Sequence, residues 1–117
     1  MPEVLIDGTP IANATITLIR GGVWIQQWTF LADVGSPDPT LDAKFIIEPV
    51  GGEPTEEWNS SNGRLTNVDV GTYLLDLQEA YTSAIIWDFA RYHLYVVESS
   101  GNVAPCITSG FVFCRDC

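Results

Sequence analysis

Thr15 to Phe30 reads TITLIRGGVWIQQWTF, and no other stretch limits the fold of this chain so strongly. Two runs of β-branched and aromatic residues flank Gly21-Gly22. Such side chains favour strands because they pack well on a pleated, half-buried surface. A diglycine reaches the positive φ of a tight turn without steric cost. The pattern predicts a β-hairpin. Alternation places Trp24, Trp28 and Phe30 on one face and Val23, Ile25, Gln27 and Thr29 on the other. Gln26 falls on the tryptophan face, so that face is not uniformly dry.

The same alternation recurs along the chain. Lys44 to Glu48, Arg64 to Val68, Thr72 to Leu77 and Tyr92 to Glu98 read as strands, with Val103 to Ile107 and Phe111 to Cys114 after a break at Ser109-Gly110. Turn compositions separate them: Asp7-Gly8-Thr9-Pro10, Asp33 to Thr40, and Ser99 to Asn102. Pro49 to Asn62 reads as an exposed excursion with one short strand around Trp58. The exception is Gln78 to Ile86, where Leu77, Tyr81, Ala84 and Ile85 recur at helical spacing and predict about two turns. Seven to eight short strands with one short helix imply an all-β, antiparallel, immunoglobulin-like β-sandwich. Residues 1–14 read as an N-terminal arm or edge strand and 15–117 as a single sandwich domain. The expected core holds Trp24, Trp28, Phe45, Leu75, Leu94 and Val96.

Charge narrows the function. Five basic against fifteen acidic residues give −10, which phosphate backbones and anionic lipid repel. Nucleic acid and membrane are therefore not expected partners, and no apolar run approaches the roughly 20 residues of a membrane helix. The acidity serves solubility first and steering toward a basic partner patch second. Met1-Pro2-Glu3 lacks the basic start of a secretory leader, so the expectation is synthesis in a cytoplasm.

Chemistry-bearing residues are sparse. His93 lies mid-strand with no nucleophile at readable spacing, and a surface or interface role is expected over catalysis. Asp33, Asp38 and Asp42 lack the regular spacing of a calcium loop. Cys114 and Cys117 form a C-x-x-C, but with only Cys106 besides there is no second pair for a zinc site. No catalytic, metal or cofactor site is expected, and the chain does not read as an enzyme. The four tryptophans divide: Trp24 and Trp28 read as core, whereas Trp58 and Trp87 stand in loop-like contexts that suit interface anchors. With Val4, Leu5 and Ile6, a short run able to add as a strand to a neighbour, they form the expected partner interface.

TITLIRGGVWIQQWTF, LDAKFIIE, NGRLTN, GTYLLDLQEAYTSAI, RYHLYVVESSGNV and SGFVF together resemble the β-sandwich domains of tailed-bacteriophage tail and baseplate proteins, such as the N-terminal domain of baseplate upper proteins. Gly22 stands where that family usually has an acidic residue, and Leu41-Asp42-Ala43 where it has Leu-Thr-Gly. The resemblance implies a virion structural protein: a baseplate or tail adaptor connecting tail and fibre components, present in several copies of itself among other virion proteins in a symmetric assembly. The alternatives are a capsid decoration protein, or a carbohydrate- or host-surface-binding module using exposed aromatics.

Overall fold

The computed structural model describes residues 3–10, 14–31, 36, 41–98 and 108–116. Ten strands and one helix follow in order: β1 (Glu3–Ile6), β2 (Thr9–Pro10), β3 (Ile16–Ile19), β4 (Trp24–Leu31), β5 (Leu41–Pro49), β6 (Glu56–Trp58), β7 (Leu65–Asp69), β8 (Thr72–Leu77), α1 (Glu79–Ser83), β9 (Phe89–Glu98) and β10 (Thr108–Arg115). They build two five-stranded sheets, ordered β2-β1-β4-β8-β7 and β3-β10-β9-β5-β6. The chain is the β-sandwich that the alternation predicts. All pairings are antiparallel except β3 with β10.

The inward face of each strand is the apolar set of its alternation. Trp28 and Phe30 of the first sheet meet Phe45, Tyr92 and Leu94 of the second, all fully buried. The Trp28 ring stands edge-on to Phe45 at 4.9 Å and to Tyr92 at 6.3 Å, the geometry that aromatic quadrupoles favour. Leu75 is buried as expected, Trp24 is half-buried, and the Val96 side chain lies outside the described residues. Gln26 accepts a hydrogen bond from Trp28 Nε1 at 3.1 Å, which explains a polar residue on that face.

Several expectations change. The Gly21-Gly22 turn does not close a hairpin. β3 pairs with β10 in one sheet, while β4 pairs with β1 and β8 in the other. Alternation fixes which face of a strand is buried, not which strand lies beside it. An arch from sheet to sheet lets Ile16 and Leu18 join Trp28 and Phe30 in one core, all fully buried. The turn is held from outside: Gly22 N–H donates to the Ile19 carbonyl at 2.8 Å, and the buried Thr82 hydroxyl of α1 donates to the Gly22 carbonyl at 2.6 Å.

Residues Val4 to Ile6 are not a free arm. Val4 lies opposite Phe30 and Ile6 opposite Trp28 in β1, so the segment is part of the first sheet. Asp7 and Gly8 both take positive φ, 50° and 83°, and turn β1 back into the edge strand β2. Ser109-Gly110 does not break β10. A Cβ on Gly110 would lie 2.6 Å from both the Ala14 carbonyl oxygen and the Tyr92 ring, so glycine marks a close approach within the strand. The helix stops at Ser83 because the chain must then send Ile85 and Trp87 inward and Ile86 outward, an alternation a helix cannot supply. Val103 to Ile107 and nearly all of Asp33 to Thr40 lie outside the described residues.

Replacing Trp28 by Ala should cost about 3–5 kcal/mol of stability, because the cavity opens between the two sheets. Trp24→Ala should cost clearly less. Urea midpoints of the two variants check the order.

Candidate interaction site

Two groups of polar and aromatic side chains stand out, one inside the sandwich and one on its surface. The inner group begins at β6. This strand pairs with β5 so that Trp58 lies opposite Phe45 and Glu56 opposite Ile47, which turns a tryptophan and a carboxylate inward together. Glu56 Oε2 accepts from Trp87 Nε1 at 2.6 Å, and its other oxygen accepts from the Tyr81 hydroxyl. Trp58 Nε1 in turn donates to the Tyr81 oxygen at 2.9 Å. The Arg64 guanidinium carbon sits 3.8 Å above the Tyr81 ring. The carboxylate thereby satisfies one indole and a phenol, and the phenol oxygen satisfies the second indole, groups that the core would otherwise strand without partners.

Trp58 and Trp87 are therefore corrected from surface anchors to core residues, at 0% and 2% exposure. Their loop-like sequence context misled because each indole finds its acceptor far along the chain, Trp87 in Glu56 and Trp58 in the Tyr81 oxygen. Of the other expected interface residues, Val4 and Ile6 are buried and Leu5 is half-buried within the first sheet.

A second cluster ties the sandwich at one end. Arg20 Nε donates to the Ile85 carbonyl at 2.9 Å, and its terminal nitrogens reach the Trp87 carbonyl at 2.9 Å, Asp88 at 3.0 Å and Asp116 at 2.5 Å. It clamps the segment after α1 to the end of β10. Cys114 lies buried beneath, and burial pushes its thiol above the ordinary range. Cys106, Cys117, Asp33 and Asp38 lie outside the described residues.

The surface group lies on the outer face of the second sheet. Since Ala90, Tyr92, Leu94, Val112 and Cys114 point inward, Phe89, Arg91, His93 and Tyr95 of β9 and Phe111, Phe113 and Arg115 of β10 point out. Phe89 stacks on Phe113 at 4.9 Å and on Phe111 at 5.3 Å. Phe111 is 44% exposed, as is Ile19 at the edge of the same face. To one side of this ridge is a hollow of about 380 Å³ lined by Arg91, His93, Ser109, Gly110 and Phe111. To the other is a shallower one of about 530 Å³ lined by Asp88, Arg115 and Asp116. His93 Nε2 lies 2.5 Å from Glu48 Oε1 at the rim. Arg91 and Arg115 are exposed, and among the described residues neither has a carboxylate partner. The phenylalanine ridge was not read from the sequence as a site. Its signal is that Phe89-Ala90-Arg91 and Phe111-Val112-Phe113-Cys114 put their larger rings opposite the inward set.

The architecture is a two-sheet sandwich whose second sheet carries a phenylalanine ridge on its outer face, where Arg91 lies opposite Glu48. No family model and no curated protein matches this chain. Among solved structures, CopC from Methylosinus trichosporium OB3b superimposes with a TM-score of 0.50 at 10% sequence identity, over 99% of this chain and 95% of that one. This likeness concerns the fold, and it overturns the resemblance to tailed-phage tail and baseplate domains. The motifs behind that resemblance are strand-and-turn patterns that sandwiches of any origin share.

Two outcomes follow from the inner network. Glu56→Ala leaves Trp87 Nε1 and the Tyr81 hydroxyl without their acceptor and should cost roughly 1–3 kcal/mol, read from a thermal or urea melt. Burial, and then Glu56, push the Tyr81 phenol upward from its usual value. Burial, and then the neighbouring Asp42, push Tyr73 up to about 12. Both phenols stay neutral in the folded state where unfolded ones ionise. The stability they contribute is complete below about pH 10 and is lost as pH rises from about 10 through 12. Ultraviolet titration of the phenolates alongside melts across that range checks the sign.

Proposed function

We propose that this chain is a non-catalytic docking module that binds a protein partner through the outer face of the second sheet. The observation that carries this reading is the stacked ridge of Phe89, Phe111 and Phe113, with Phe111 exposed, beside Arg91 and Arg115, which among the described residues have no carboxylate within ion-pair distance. Aromatic rings and arginine are the side chains enriched where protein interfaces concentrate their energy. On a water-facing sheet they cost solubility, and a partner that covers them recovers the apolar burial. His93 has Glu48 against Nε2 and lies between Ser109 of β10 and Ile46 of β5, with Arg91 and Phe111 lining the same hollow. An adaptor subunit in a larger assembly is a setting that suits such a module.

The carbohydrate-binding alternative has weaker support. Sugars stack on open ring faces. Here the faces of Phe89 are turned to Phe111 and Phe113, with interplanar angles of 28° and 27°. Trp58 and Trp87, the rings that would have served it, are inside.

A photo-crosslinking residue in place of Phe111 should capture protein in the native source, and one in place of Ile25, exposed on the other sheet, should not. Equal capture at both positions, or binding on a glycan array that Phe111→Ser abolishes, would overturn the proposal.

A further inference from the structure

Resting on that docking reading, we infer that the partner binds as a strand: an extended segment of another protein, free of acidic residues, pairs backbone to backbone with the open edge of β3 beside the phenylalanine ridge. A sheet edge is a row of unpaired N–H and C=O groups, and proteins blunt the edges they do not use. The two sheets end in β2, β7, β3 and β6, and three of these four edges are blunted. β2 has two residues, and one of them, Pro10, has no N–H to give. β6 has three, two of them glutamates. β7 has a bulge between Asn67 and Asp69, and the Asn67 side chain occupies the Asp69 and Thr72 carbonyls. β3 has none of these devices. It reads Ile-Thr-Leu-Ile, with no charge or proline, and it pairs with β10 without a bulge.

Thr17 and Ile19 carry the open groups. The Arg20 N–H donates to the Arg115 carbonyl at 2.7 Å. A parallel ladder uses every second residue of a strand, so Ile16 and Leu18 also turn their N–H and C=O toward β10, and Thr17 and Ile19 turn theirs away. The Gly22 N–H takes the Ile19 carbonyl. The N–H groups of Thr17 and Ile19 and the Thr17 carbonyl have no backbone partner among the described residues. On the outer face Thr17 stands beside Phe113, and Ile19 is 44% exposed. A strand added here lays its outward side chains next to Ile19 and extends the apolar surface of the ridge, so apolar residues suit that side. Both ends of the edge are already held. The Tyr92 hydroxyl donates to the Ala14 carbonyl at one end, and Arg20 is fixed by Asp88 and Asp116 at the other. Little conformational entropy of β3 remains to be lost on pairing. Those two carboxylates are largely exposed and the net charge is −10, so the complementary segment is neutral or basic.

A fluorescein-labelled peptide of alternating valine and threonine, with lysine at each end, tests this on the full chain by anisotropy and amide hydrogen exchange. With the peptide at about ten times its Kd, exchange at the Thr17 and Ile19 amides should slow about tenfold, while Ile25 on the other sheet does not change. Thr17→Pro removes an open N–H without touching the ladder to β10 and should weaken binding about tenfold or more. Ile19→Lys, a charge on the edge, should also weaken it. Circular dichroism and urea midpoints verify the fold of both variants, and Ile19→Lys keeps the test sound if Thr17→Pro loosens β3. No binding up to about 1 mM, binding that leaves Thr17 exchange unchanged, or wild-type affinity in either variant would overturn the inference. Self-association of the wild type that Thr17→Pro abolishes would put a second copy on the edge and overturn it too. The photo-crosslinker at Phe111 separates this inference from the docking reading. If it captures the same protein with Thr17→Pro as without, only the strand is wrong. If it captures none in either chain, both readings fall.

Discussion

The edge-on contact of Trp28 with Phe45 and Tyr92 sets the frame for the rest of the molecule. It joins the middle of the first sheet to the middle of the second, and it fixes their separation by the width of an indole. Tyr92 then determines its own surroundings: its hydroxyl donates to the Ala14 carbonyl at 2.5 Å, and its ring leaves room at position 110 only for glycine. Phe45 passes the contact on to Trp58 at 5.8 Å, and Trp58 brings in Tyr81 and Glu56. A chain of rings thus runs from the sandwich centre to the short helix, with a polar group accepting from each indole it passes. Interiors packed this closely transmit displacement, so the helix and the edge strand β6 are placed by the same contact that closes the sheets.

Much of the architecture was legible because period-two alternation reports burial directly. Thr72 to Leu77 appears in the structure with the same bounds, and Trp28, Phe45, Leu75 and Leu94 are interior as their alternation requires. Pairing was not legible. Whether Gly21-Gly22 joins neighbours in one sheet or crosses between sheets depends on β10, far along the chain, and no local pattern encodes that. The helix was read too long for a related reason. Helical spacing at Tyr81, Ala84 and Ile85 competes with alternation at Ile85, Ile86 and Trp87, and burial of Trp87 decides the contest.

The candidate site was less legible than the fold. Tryptophan in a proline- and glycine-rich segment suggests exposure, yet Tyr81, far along the chain and itself held by Glu56, supplies an internal acceptor for Trp58, and the indole goes in. The reverse error hid the ridge. Phenylalanine suggests core, yet Phe111 and Phe113 alternate with Val112 and Cys114, and a strand has only one inner face. Which of two apolar faces turns to water is settled by the opposing sheet, and a single strand's sequence does not contain it.

The parallel pairing of Ile16 with Val112 and of Leu18 with Cys114 has a consequence for how the molecule is made. β3 leaves the ribosome well before its partner strand β10, which follows seven other elements. Until then Ile16 and Leu18 have no hydrogen-bonded neighbour on that side, and the second sheet lacks its connection between edge and centre. Folding that must wait for contacts so distant in sequence is slow, and it leaves an unpaired apolar edge on the nascent chain until β10 emerges. In the folded chain the Gly21-Gly22 arch carries β3 across to the second sheet, where Ile16 and Leu18 share one core with Trp28.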